Sequence, residues 1–184
     1  MASKTTYIKY FADIDYNNVK NLMDVVQAKL KDGTGRFVIL ISCLGGSVFH
    51  GLSAYNFLRG IPAEVETHNF GSVVSMGIVL FCAGKKRYSV PHATFLVHGV
   101  QANFPQGAGL EEKQLEERLK GLKLDTENIA GVVAACTGKT EEDVIRDMLD
   151  RTTLNPEQAL KYGLIHEIKE ALFESGAELI SIQS

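Results

Sequence analysis

The chain has no tryptophan, and only three cysteines and four prolines among 184 residues. Cys43, Cys82 and Cys136 stand far apart, two of them inside apolar runs. That spacing excludes a zinc motif and a disulfide framework and fits free thiols in a reducing compartment. Long hydrophobic runs are missing too. The longest, around Met76 to Gly84, falls far short of the roughly 20 residues a membrane helix requires. The opening MASKTTYIKYFADID has neither the apolar core of a secretion signal nor an Arg-rich transit pattern. Nor does one sign of charge dominate: 19 Lys and Arg face 22 Asp and Glu, a net charge of −3. Such a balance gives no general attraction to nucleic acid or to anionic lipid. The expectation is a cytoplasmic protein with neither nucleic acid nor membrane as partner.

What is present is ordinary for a globular protein: 45% apolar and 22% charged residues. Asp15 to Lys31 reads as an amphipathic helix, with Val19, Leu22, Met23, Val26 and Leu30 at helical spacing. Asp32-Gly33-Thr34-Gly35 ends it. FVILIS (Phe37 to Ser42) reads as a strand buried on both faces. A helix is expected from Val48 to Arg59, a strand at AEVETH, then a turn and helix over HNFGSVVSMGIVLFCAG (His68 to Gly84). Lys85-Lys86-Arg87 reads as a solvated turn. RYSVP and ATFLVHGV follow as strands. A long helical stretch, Gly109 to Ala135, begins highly charged, with Leu115, Leu119 and Leu122 as a narrow stripe. TEEDVIRDML is a helix with Thr140 as N-cap and Asp143 at the capping-box position. NPEQALKYG is a last one, opened by Pro156 and closed by Gly163. Strands alternating with helices predict an α/β body with a largely parallel sheet and no internal boundary.

Two glycine-serine segments leave strands and open helices: LGGSV (Leu44 to Val48) and GSVVSMG (Gly71 to Gly77). In parallel sheets ligands bind near such strand ends. The unpaired N–H groups at a helix start suit an oxyanion. Ser75 is therefore either a nucleophile or simply a small residue at a strand-to-helix junction. GSVVSMG is not the G-x-S-x-G nucleophile elbow. His98 ends an apolar strand, where a sheet delivers side chains to a site. His50, His68, His92 and His166 lack that setting.

Together, ISCLGGSV, GSVVSMG, FLVHGV and TGKTEEDVIRDMLDRTTLNPEQALKYGLIHEI resemble the Clp protease proteolytic subunit (ClpP) family of serine peptidases, in the family's order. The resemblance runs from about Asp13 to Ile168 and carries the interval Gly46 to Ser75 without a gap. It implies an α/β, ClpP/crotonase-like fold of repeated β-β-α units with a helical excursion, as one peptidase domain over residues 1–184. It makes Ser75 the nucleophile and His98 the general base. The N–H groups of Gly46 and Met76 become the oxyanion donors, and Gly45, Ser47 and Val48 line the peptide groove. Neither metal nor cofactor is implied. The implied partners are a peptide or unfolded protein as substrate, further copies of the chain in a homo-oligomeric ring, and an AAA+ unfoldase.

Two departures accompany the resemblance. Where the family has its third catalytic residue, an aspartate, this chain has Arg151. Its neighbour Asp150 is the candidate replacement, with Asp147 behind it. Adjacent residues of an extended segment point to opposite sides, so Asp150 reaches His98 only through a backbone shift. Loss of the orienting carboxylate costs about four orders of magnitude in other triads. About a dozen residues precede the first clear helix, fewer than in the family, which bears against unfoldase docking and a heptameric ring. Gly99 replaces the family's proline after the histidine, so QANFPQGAG is expected to pair between rings with altered geometry. The competing functions are an inactive ClpP-like subunit in a structural or regulatory role and, more remotely, an acyl-CoA enzyme of the crotonase-like fold.

Overall fold

The computed structural model describes residues 4–102 and 109–183. Most of QANFPQGAG, and with it the expected pairing between rings, lies outside the described residues. The sheet is built on three long parallel strands: β1 (Lys4–Phe11), β2 (Thr34–Cys43) and β3 (Glu64–Val74). β2 lies between the other two and buries Phe37, Val38, Ile39, Leu40 and Ile41, as its unbroken apolar run predicts. Short strands complete the sheet: β4 (Lys86–Ser89), β5 (Thr94–Leu96), β6 (Thr153–Leu154), β7 (Glu167–Ile168) and β8 (Leu179–Gln183). Among the described residues only the β5–β6 pair is antiparallel.

The helices are α1 (Tyr16–Lys31), α2 (Val48–Gly60), α3 (Met76–Phe81), α4 (Glu112–Thr137), α5 (Glu141–Leu149) and α6 (Pro156–Tyr162). Their ends follow local chemistry. The Asp15 carboxylate accepts the Asn18 N–H at 2.8 Å, and Gly33 turns the chain out of α1 at φ 83°. The Thr140 hydroxyl accepts the Asp143 N–H, but the Asp143 carboxylate pairs with Arg146 instead of closing a capping box. Asn155 and Gln158 do close one at α6. α4 is exposed at Leu115, Leu119 and Leu124, then buries Ile129, Ala130, Val133 and Ala134 in the core.

Three expectations are corrected. β1 and β8 were not anticipated: β1 mixes Lys and Thr with its apolar residues, and its burial comes from lying between β2 and β8. Gly71 to Val74 is strand, not turn, because Ser72, Val73 and Val74 pair with Thr94, Phe95 and Leu96. Arg87 is not solvated. It is buried, and its guanidinium donates to the carbonyls of Leu164 (2.7 Å), Gly84 (3.0 Å) and Cys136 (2.8 Å). A buried charge survives only when so completely hydrogen-bonded.

Candidate active site

The turn from β3 into α3 is made by a single residue. The Ser75 N–H donates to the Leu96 carbonyl at 2.9 Å, and the Ser75 carbonyl accepts the Ile78 N–H at 2.9 Å. Between those bonds Ser75 takes φ 56° and ψ −125°. A side-chain-bearing residue held there costs roughly 1–3 kcal/mol and persists only when its surroundings fix it. The surroundings are the Gly45-Gly46 loop. A Cβ on Gly45 would stand 2.7 Å from the Ser75 Cβ, and one on Gly46 would stand 2.3 Å from the Ile14 carbonyl oxygen. Glycine at 45 lets this loop touch the Ser75 turn, and glycine at 46 lets it lie against Ile14.

Ile14 pins this loop from the side. Its N–H donates to Gly45 (2.7 Å) and its carbonyl accepts from Ser47 (2.8 Å). The Gly46 N–H takes no part in either bond. The Met76 N–H, at the first position of α3, has no intrahelical acceptor. Gly46, Met76, Ser75 and His98 line one cavity of about 240 Å³. Val48, Ile78, Val97, Ile129 and Val133 form the apolar part of its wall, and Gln101 also lines it. Of the expected groove residues, Val48 lines the cavity. Gly45 lies beneath Ser75, and the Ser47 hydroxyl caps α2 by accepting the His50 N–H.

His98 follows β5. Its Nδ1 lies 2.8 Å from the Gly99 carbonyl oxygen, and among the described residues no hydrogen bond joins it to Ser75 or to a carboxylate. Asp150 is not brought to His98. It caps the end of α5, exposed, with its N–H on the Arg146 carbonyl at 2.9 Å. Arg151, also exposed, turns at φ 53°. The segment is thus a tight turn, and the alternation expected of an extended chain does not apply. The turn is anchored beside the His98 strand, since the Val97 N–H donates to the Thr152 carbonyl at 2.9 Å. Asp147 is held elsewhere, by Lys139 at 3.2 Å and the Tyr162 hydroxyl at 2.7 Å. Burial first, and then that carboxylate, push the Tyr162 hydroxyl far above its usual range.

Other reactive groups near the site are quiet. Cys43 lies beside Gly45, whose N–H donates to its sulfur at 3.3 Å, and burial pushes this thiol up to about 11. All three cysteines are free; Cys43 and Cys82 are buried and Cys136 half-buried. Among the described residues no cluster of three or more His, Cys, Asp or Glu could hold a metal, and no helix is long and apolar enough to cross a membrane. Sequence reasoning missed the cavity's far wall. The signal available was Ile129 and Val133, one turn apart in the apolar half of α4.

Comparisons with known proteins identify the family and the fold. A family model described as Clp protease matches residues 2–171. The ATP-dependent Clp protease proteolytic subunit of Deinococcus radiodurans is 37% identical over 130 residues, 70% of this chain and 62% of the relative. Subunit 2 of Chlamydia trachomatis is 30% identical over 142 residues, 75% of this chain and 67% of the relative. The match thus spans less than two thirds of the first of these relatives. A solved variant of ClpP1 from Listeria monocytogenes superposes with a TM-score of 0.79 at 23% identity, covering 90% of this chain and 91% of that one. The fold they share is the crotonase-like one.

Proposed function

From the premise that this chain belongs to the Clp protease family, we propose that it is a serine endopeptidase cleaving peptides or unfolded protein through an acyl-enzyme on Ser75. The Ser75 hydroxyl attacks the scissile carbonyl. His98 takes its proton and returns it to the leaving amine, and water then releases the acyl group with His98 as base again. The N–H groups of Gly46 and Met76 stabilise the oxyanion, by several kcal/mol for a well-placed pair. The apolar part of the cavity wall, from Val48 to Val133, holds a substrate side chain. Asp150 is left out of this machinery, because its carboxylate makes no hydrogen bond to His98.

The observation that carries the proposal is the strained Ser75, locked by Gly45 and opening onto the same cavity as His98 and the two amides. An inactive structural subunit has no use for that strain. Assembly into a ring of its own copies and residence in the cytoplasm, where three free thiols are stable, belong to the same proposal. A serine-directed peptidyl phosphonate tests it. We expect one covalent adduct at Ser75 by mass spectrometry, absent from Ser75→Ala and weakened in His98→Ala. A chain that stays unlabelled at high probe concentration is not a serine peptidase.

A further inference from the structure

A general-base histidine must present one particular tautomer. Taking a proton from serine through one ring nitrogen requires that this nitrogen be bare and that the other carry the hydrogen. In the Ser-His-Asp arrangement a carboxylate enforces this and also stabilises the imidazolium that forms. Here no described carboxylate bonds His98. Among the described residues the one hydrogen-bond partner of its ring is the backbone carbonyl of Gly99, 2.8 Å from Nδ1.

We propose that the Gly99 carbonyl is the positioning group for His98, so that the chain works as a Ser75–His98 dyad oriented by its own backbone. The inference rests on the peptidase reading. A carbonyl oxygen only accepts, so the hydrogen must sit on Nδ1, and Nε2 is left bare for the cavity. That is the first of the carboxylate's two tasks. The second, ion-pair stabilisation of the imidazolium, is not supplied by a neutral acceptor. The base therefore has the correct tautomer without the correct counter-charge.

The surroundings hold the carbonyl in place. Gly99 is half-buried, and the Val97 N–H ties the same segment to Thr152. A Cβ on Gly99 would meet only the Met148 carbonyl oxygen, at 3.9 Å, so the end of α5 flanks the segment without displacing it. The carboxylates at the end of α5 that could compete are committed or exposed. Asp147 is on Lys139 and Tyr162, and Asp150 and Arg151 are exposed. Replacing the family's carboxylate by Arg151 therefore leaves no orphaned Nδ1–H.

The test is 15N NMR of histidine-labelled protein, as a sedimented or solid sample so that assembly does not matter. The His98 signals are assigned by their loss in His98→Gln. We expect a protonated Nδ1 and a bare Nε2 near neutral pH, unchanged in Asp150→Asn. A bare Nδ1 overturns the proposal. So does a protonated Nδ1 that changes in Asp150→Asn, since a carboxylate would then be the orienter. Phosphonate labelling of the same sample separates the two claims. A labelled Ser75 with the wrong tautomer sinks only the role of Gly99; an unlabelled Ser75 sinks the peptidase reading whichever tautomer is found.

Discussion

His98 and His68 are held by the same kind of bond, an imidazole nitrogen 2.8–2.9 Å from a backbone carbonyl, and they serve opposite ends. His68 is on β3, 2% exposed, with Nε2 against the Lys169 carbonyl and its ring beside Tyr88. Burial drives its imidazole down to about 4. It is a neutral packing residue that fastens the segment after β7 onto the sheet. His98 is half-buried, bonded through the other nitrogen, and opens onto the cavity that holds Ser75. The bond fixes a ring in both places. Under the proposed mechanism, which nitrogen it uses, and whether the free one meets core or cavity, separates a packing histidine from a working one.

The contrast breaks most sharply at Gly45. Gly45→Ala puts a Cβ 2.7 Å from that of Ser75, at a backbone φ of 105°. We expect kcat/KM for a short peptide to fall about 100-fold, with about 1–3 kcal/mol lost from stability by overpacking. Urea unfolding should remain a single cooperative transition. An unchanged rate would mean that the two loops do not fix the nucleophile.

The His68 contact breaks with acid. The folded-state value of His68 lies below its unfolded value of about 6.5, so its contribution to stability is complete above 6.5 and is lost as pH falls toward 4. The loss should approach about 3 kcal/mol, read from urea midpoints across that window. His68→Gln should flatten the window's slope. A slope that His68→Gln leaves intact assigns the acid lability to other groups.

The smallest effect is expected at Asp150. Its exposed carboxylate bonds neither histidine, so Asp150→Asn should change kcat/KM by less than about twofold, against the roughly 10⁴-fold typical of losing an orienting aspartate. A drop approaching that size would restore Asp150 as a third catalytic residue and erase the comparison, since His98 would then be held by charge.

Much of this was legible in the residues. The buried run Phe37–Ile41, the cap at Thr140, the Pro156 start and the glycine stop at Gly163 are local signals, and the structure follows them. The alternating order of strands and helices fixed the architecture, and the spaced motifs around Gly46, Ser75 and His98 brought one cavity into view. What local chemistry could not reveal was pairing across the chain. β1 and β8 are strands because of each other and β2, and Arg87 is buried because distant carbonyls surround it. The fate of Asp150 is of the same kind. Sequence placed it next to the position that needs a carboxylate; the turn through Arg151 and the Val97–Thr152 bond left it in solvent. A side chain's identity is set by sequence, but its direction depends on backbone dihedrals that tertiary contacts select. For that reason the sequence alone determined which side chains stand at the strand ends, and only the fold decided what holds the proposed base, His98.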